Sequence, residues 1–182
     1  MISINTFLLV PAANFRDRGV SIPSICEADV ADIVIRAMSE QLEEFGVHHM
    51  RYWDNVEAGF GDLAIEIGCL YDTRSKLHNS SEVVFGVGGS DLAELLGETL
   101  SEWGRCCSFG HQVKTPKGGG PSGRIKLSIF AINSTDSDQY LCRLTDLGRQ
   151  LAQTIADYAK GSATGLSSAL SSDSILDAIK HD

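Results

Sequence analysis

Short apolar runs with strand character alternate along this chain with stretches of helical periodicity, and that alternation restricts the fold more than any other feature. Ile4 to Val10 is continuously apolar and ends at Pro11, as a strand buried on both faces of a sheet does. Ser24 and Glu27 are spaced as a capping box, and Val30, Val34, Met38 and Leu42 follow at helical intervals until Gly46. Val47 to Trp53 returns as a strand rich in aromatic and β-branched residues. Asp62 to Ile67 and Glu82 to Val87 read as two more. Leu92, Leu95, Leu96, Leu100 and Trp103 form one face of a second helix, Arg124 to Ile132 reads as a strand, and Leu141 to Tyr158 reads as a third helix.

Such an order predicts an α/β fold with a mostly parallel sheet of about five to six strands and helices on both faces. Residues 1–160 form the predicted domain. Gly161 opens a serine-rich tail, residues 161–182, ending in a short amphipathic piece around Ile175, Leu176 and Ile179. The 182 residues suit one core, since a globule of that size buries about 70% of the surface its unfolded chain exposes. In sheets of this kind ligands bind beyond the carboxyl ends of the strands, which places the expected site after Val10, Ile67 and Ile132.

Charge excludes one class of partner. The 24 acidic residues outnumber the 15 basic ones, and a net charge of −9 repels a phosphate backbone, so nucleic acid is not expected. The apolar run from Thr6 to Ala13 is shorter than the roughly 20 residues that span a bilayer and follows no basic segment, so neither a membrane anchor nor a signal peptide is expected. Cys26, Cys69, Cys106, Cys107 and Cys142 form no CxxC pair, and their odd number does not close into an internal disulfide framework, which suits a reducing compartment. The chain is expected to be made in the cytoplasm, with association to a virion as one further destination.

Several residues could carry chemistry, and each has a plainer reading. Glu27 suits metal ligation or a helix-start carboxylate completing the box with Ser24. His48 and His49 alternate across a strand, so they cannot both grip one ion. Cys69 follows a strand end, where a nucleophile is well placed, yet no histidine stands at a spacing that marks it as activated. His78 and His111 fall in predicted loops. The stretch Ser108 to Gly123, with Lys114, Lys117 and Gly118 to Gly120, lacks the GxxxxGK[ST] order of a phosphate cradle and reads as a surface loop. Thr135, Asp136 and Asp138 read as turn and cap residues.

Taken in order, the strand-end segments resemble the zinc-dependent N-acetylmuramoyl-L-alanine amidases over roughly Ser3 to Lys160. CEADVADIVIRAMSEQLEEFGV is similar to the family's glutamate-led first helix, and GDLAIEIG to its strand ending in a metal-binding histidine. SSEVVFGVGGSDLAELLGETL is similar to the strand and helix that follow, and FAINSTDSDQYLCRLTDLGRQLAQTIADYAKG to the final loop and helix. The resemblance implies an amidase-like (phosphorylase/hydrolase-like) fold.

Members of that family hold zinc with two histidines and a glutamate, and a second glutamate acts as base. The resemblance places the first histidine in VPAAN, near Ala13 and Asn14, the glutamate ligand on Glu27, the second histidine at Gly68 next to Cys69, and the base near Ser128. Only Glu27 keeps its chemistry. Hydrolytic zinc needs about three protein ligands, and alanine and glycine side chains offer no lone pair. No metal, cofactor or catalytic residue is therefore expected, and the cleft candidates are Ala13, Asn14, Glu27, Gly68, Cys69 and Ser128. The leading expectation is an inactive amidase-like module that contacts a protein or a cell-wall fragment, phage-related by analogy. Two alternatives stand beside it: a peptidoglycan amidase or other hydrolase with a non-standard site, such as one around Cys69, Glu66 and a histidine, and an acidic inhibitor or immunity-type protein.

Overall fold

The computed structural model describes residues 6–12, 21–22, 25–51, 62–70, 79–86, 90–103, 106–109, 123–130 and 137–178. Among the described residues eight strands and three helices follow one another as β1 (Thr6–Pro11), β2 (Ser21–Ile22), β3 (Ile25–Cys26), α1 (Glu27–Glu44), β4 (His49–Arg51), β5 (Asp62–Leu70), β6 (Asn79–Gly86), α2 (Ser90–Ser101), β7 (Cys106–Phe109), β8 (Gly123–Phe130) and α3 (Ser137–Ala178). Six strands form the main sheet in the order β4-β1-β5-β8-β6-β7, and β2 and β3 make a small antiparallel pair. The first four strands of that order run parallel, while β6 lies antiparallel to β8 and β7 parallel to β6. The α/β class and the mostly parallel sheet are as the sequence predicts.

One continuous core joins the helices to a single face of the sheet. Alternate strand residues Phe7, Leu9, Leu63, Ile65, Ile67, Ile125, Leu127 and Ile129 pack with Val30, Val34 and Met38 of α1, Leu92, Leu96 and Leu100 of α2, and Leu144, Leu151 and Ile155 of α3. On the opposite face Leu8 and Ala64 are also buried, whereas Glu66, Arg124 and Lys126 are partly exposed.

The end of α1 shows why Gly46 stops it. Gly46 has φ of 68°, its N–H donates to the Glu43 carbonyl at 3.0 Å, and the Val47 N–H donates to the Leu42 carbonyl at 2.9 Å. These two bonds make a Schellman motif, which needs a left-handed residue at the glycine position. Val47 then packs on the core and leads into β4.

The other end of α1 corrects the expected capping box. The N-cap is Cys26, not Ser24, and Asp29 rather than Glu27 sits three residues on. The Asp29 carboxylate accepts from the Cys26 backbone N–H at 3.1 Å and from its thiol at 2.9 Å. Glu27 is thereby the first helical residue, and its carboxylate is not used in the box.

Helix α3 runs on through Gly161, where the sequence reading placed the start of a tail. Glycine in a helix costs about 1 kcal/mol relative to alanine but keeps its N–H, and no proline interrupts residues 137–178. Two side-chain bonds clasp α2 to α3: Trp103 Nε1 donates to Gln150 Oε1 at 2.6 Å, and the Thr99 and Thr154 hydroxyls meet at 2.7 Å. Among the described residues no helix is long and apolar enough to cross a membrane.

Candidate functional site

The carboxyl ends of β1, β5 and β8 and the start of α1 meet at Gly68. Parallel pairing continues one residue beyond β1, where the Ala12 N–H donates to the Ile67 carbonyl at 2.8 Å. This brings Ala12 beside Gly68. On the other side Gly68 is level with Ser128 in the β5–β8 register. Ser128 is buried, with 5% of its surface exposed.

A Cβ built on Gly68 would stand 3.1 Å from the Ala12 Cβ, 3.3 Å from Glu27 Oε1 and 3.8 Å from Lys126 Cε. One point in space is therefore ringed by a methyl group, a carboxylate oxygen and a lysine methylene.

Along the same sheet face lies an ion cluster. By the two-residue period of strands, Ala64, Glu66 and Gly68 share a face with Arg124, Lys126 and Ser128. Arg124 Nη1 lies 3.0 Å from Glu66 Oε2, and Lys126 Nζ lies 3.7 Å from Glu66 Oε1. Glu66 and Lys126 are directly opposite in the register, while Arg124 reaches diagonally. The Glu66 side chain is only 15% exposed, against 37% for Arg124 and 42% for Lys126, so the carboxylate sits beneath its two cations.

Of the sequence candidates, Glu27, Gly68 and Ser128 come together here, with Ala12 next to the position of Ala13. Ala13 and Asn14 lie outside the described residues, as do His78 and His111, the loop carrying Lys114 and Lys117, and Thr135 and Asp136. Cys69 is in β5 opposite Ile129, but its side chain is not among those described. His49 is held away from the site: its Nδ1 lies 2.9 Å from the Val47 carbonyl and its Nε2 lies 2.8 Å from Ser39 Oγ. Donation from Nδ1 to that carbonyl leaves Nε2 to accept from the serine, so the ring anchors β4 to α1. His48 Nδ1 lies 3.2 Å from Thr6 Oγ1. Both histidines have structural work. Sequence reading missed Lys126 and Arg124, although the Glu-Ile and Arg-Ile-Lys alternation at these strand positions is the signal of a charged row on one face.

Among the described residues no group of three or more His, Cys, Asp or Glu side chains is placed to hold a metal ion. By sequence, no family model matches the chain, and no curated protein does. By structure it is similar to the Neisseria meningitidis protein assigned as an N-acetylmuramoyl-L-alanine amidase, with 16% identity and a TM-score of 0.62 over 85% of this chain and 95% of that one. It is also similar to the N-acetylmuramoyl-L-alanine amidase AmiC2 of Nostoc punctiforme, with 17% identity and a TM-score of 0.56 over 89% and 99% of the two chains. A third likeness is to the CwlD amidase of Clostridioides difficile, solved in complex with the GerS lipoprotein, at 14% identity and a TM-score of 0.53 over 90% and 98%.

Proposed function

We propose that this chain, which has the fold of the N-acetylmuramoyl-L-alanine amidases, is a binding module that engages a protein or a cell-wall fragment and does not hydrolyse it. The observation that carries this reading is the surround of Gly68. At the position where the resemblance calls for an imidazole there is no side chain, and the nearest groups are the Ala12 methyl, the Glu27 carboxylate and the Lys126 stem. Glu27 alone supplies a single carboxylate where hydrolytic zinc needs about three ligands. Ser128, near which the resemblance puts the base, has a hydroxyl that does not take a proton from water as a carboxylate does. These residues do not fit a hydrolytic metal centre, and no reaction step is assigned to them.

A binding role is in keeping with the fold's use elsewhere, since the CwlD amidase is found in complex with a lipoprotein. Glu27 at the strand ends and Arg124 and Lys126 on the same sheet face are charged groups with which a peptide or a glycan fragment can make charge-assisted contacts.

The test is dye release from labelled, purified peptidoglycan sacculi by the full chain with added zinc. The expected result is release no greater than buffer alone, with or without a chelator. Release that zinc supports and a chelator abolishes would overturn the proposal.

A further inference from the structure

Helices α2 and α3 pack on the sheet face that carries Ile67, whereas Gly68 alternates with it and belongs to the other face. The two helices meet in an antiparallel seam, set by Trp103 against Gln150 at 2.6 Å and by Thr99 against Thr154 at 2.7 Å. Each step along the seam is about one helical turn, so the next step brings Leu95 level with Tyr158. Leu95 is 40% exposed, and Tyr158 is only partly buried. The Thr99 and Thr154 hydroxyls also lie within 3.1 and 3.2 Å of carbonyls of their own helices, so the middle of the seam asks for no polar group from outside. Asp91 stands one turn before Leu95 and Glu98 and Glu102 one and two turns after it, so the four form one stripe, exposed throughout.

That stripe works against the helix that bears it. No lysine, arginine or histidine occurs from Ser90 to Trp103, and the carboxylates of Glu94, Glu98 and Glu102 follow one another at the spacing where like charges repel. Among the described residues Glu98 and Glu102 enter no ion pair. The cations of α3 near the seam are engaged elsewhere: Arg143 lies over the Trp103 ring at 5.3 Å, Arg149 pairs with Asp146 at 3.5 Å, and Lys160 lies over the Phe45 ring at 5.4 Å. A lone exposed leucine is ordinary, and acidic residues alone serve solubility. An apolar side chain set into a row of carboxylates, level with a half-buried tyrosine, is complementary to one kind of surface.

We propose that the α2–α3 seam docks a basic amphipathic helix of another protein, its apolar stripe over Leu95 and Tyr158 and its lysines or arginines facing Asp91, Glu98 and Glu102. Charge selects this occupant over a second copy of the chain, because a two-fold contact through the seam would set one acidic stripe against another. The inference does not rest on the non-hydrolytic reading and holds whether or not the strand ends around Gly68 cleave anything.

The test is fluorescence anisotropy with the full-length chain and two labelled helical peptides of equal charge. One has leucines along one face and lysines elsewhere; in the other the leucines are serines. The native chain is expected to bind the leucine peptide at least tenfold more tightly than the serine peptide, and more weakly as salt is raised. Leu95→Lys, and separately Glu98→Lys with Glu102→Lys, should each weaken that binding at least tenfold. Glu40→Lys with Glu43→Lys makes the same change of net charge on the exposed face of α1 and should leave the affinity within about twofold. All these positions are exposed, and circular dichroism checks that each variant folds as the parent does. No binding, equal binding of the two peptides, or an equal loss in the α1 variant overturns the proposal. Sedimentation of the native chain alone covers the remaining occupant: a dimer that Leu95→Lys dissolves would give the seam to a second copy and overturn the proposal as well.

Discussion

Replacing Gly148 with alanine is expected to destabilise the protein by about 2 kcal/mol, against the usual trend for glycine in a helix. In an open helix the change stabilises by up to about 1 kcal/mol. Here the added Cβ would lie 2.7 Å from the Val34 carbonyl oxygen, 2.8 Å from the Ala37 Cβ and 3.3 Å from the Met38 amide nitrogen. Two of those atoms are backbone of α1, and the third belongs to a side chain with no rotamer to change. Relief requires α1 and α3 to move apart, which loosens contacts made by Val34, Met38, Leu144 and Leu151. Overpacking of this kind costs about 1–3 kcal/mol and outweighs the helical gain. Urea denaturation is the measure, with a lowered midpoint and an unchanged slope expected. Gly161→Ala serves as the contrast, since nothing stands within 4 Å of its Cβ, and that variant should be neutral or slightly stabilised. A Gly148→Ala protein as stable as the parent would mean that α1 and α3 do not approach as described.

Removing the Glu66 carboxylate is the second large change. Glu66→Ala is expected to cost about 2 kcal/mol, because a mostly buried acceptor of a charged hydrogen bond is lost and two cations are left adjacent. The partial exposure of Arg124 and Lys126 keeps the cost below the roughly 3–5 kcal/mol typical of breaking a fully buried pair. With its Glu66 bond gone, Arg124 should matter less, so adding Arg124→Ala should cost less than it does in the native chain. Denaturation of both singles and the double closes a mutant cycle. Strict additivity would show that the cluster is a surface feature of no energetic weight.

Much of the frame is legible in the sequence because it is local. The strands β1, β5 and β8 read as apolar runs, and α1 and α2 read from their spacing and from Gly46. What stayed hidden depends on tertiary context. β7 covers only Cys106 to Phe109, too short to show a period. The antiparallel setting of β6 follows from pairing with β8, which no local signal encodes. The N-cap fell to Cys26, a poor intrinsic capper, because Asp29 and the β2–β3 pair hold it there, and that displaced Glu27 toward Gly68. Helix α3 passed Gly161 because a lone glycine lowers helical preference without removing a hydrogen bond.

The candidate site was legible only as a set of strand ends. Glu27, Gly68 and Ser128 are far apart in sequence and converge through parallel pairing and the entry of α1, which is how the resemblance to the amidases arranges them. Lys126 escaped notice because in sequence it is one polar residue in an alternating strand. Its meaning lies in standing opposite Glu66 and beside Gly68.

The proposed binding role requires that the strand ends around Gly68 hold no zinc. Metal analysis of the native full-length chain, purified without chelator and dialysed against Zn²⁺, tests it most directly. The account predicts far less than one zinc per chain, with no change on Glu27→Gln. One tightly held zinc per chain, lost when Glu27 is replaced, would contradict it.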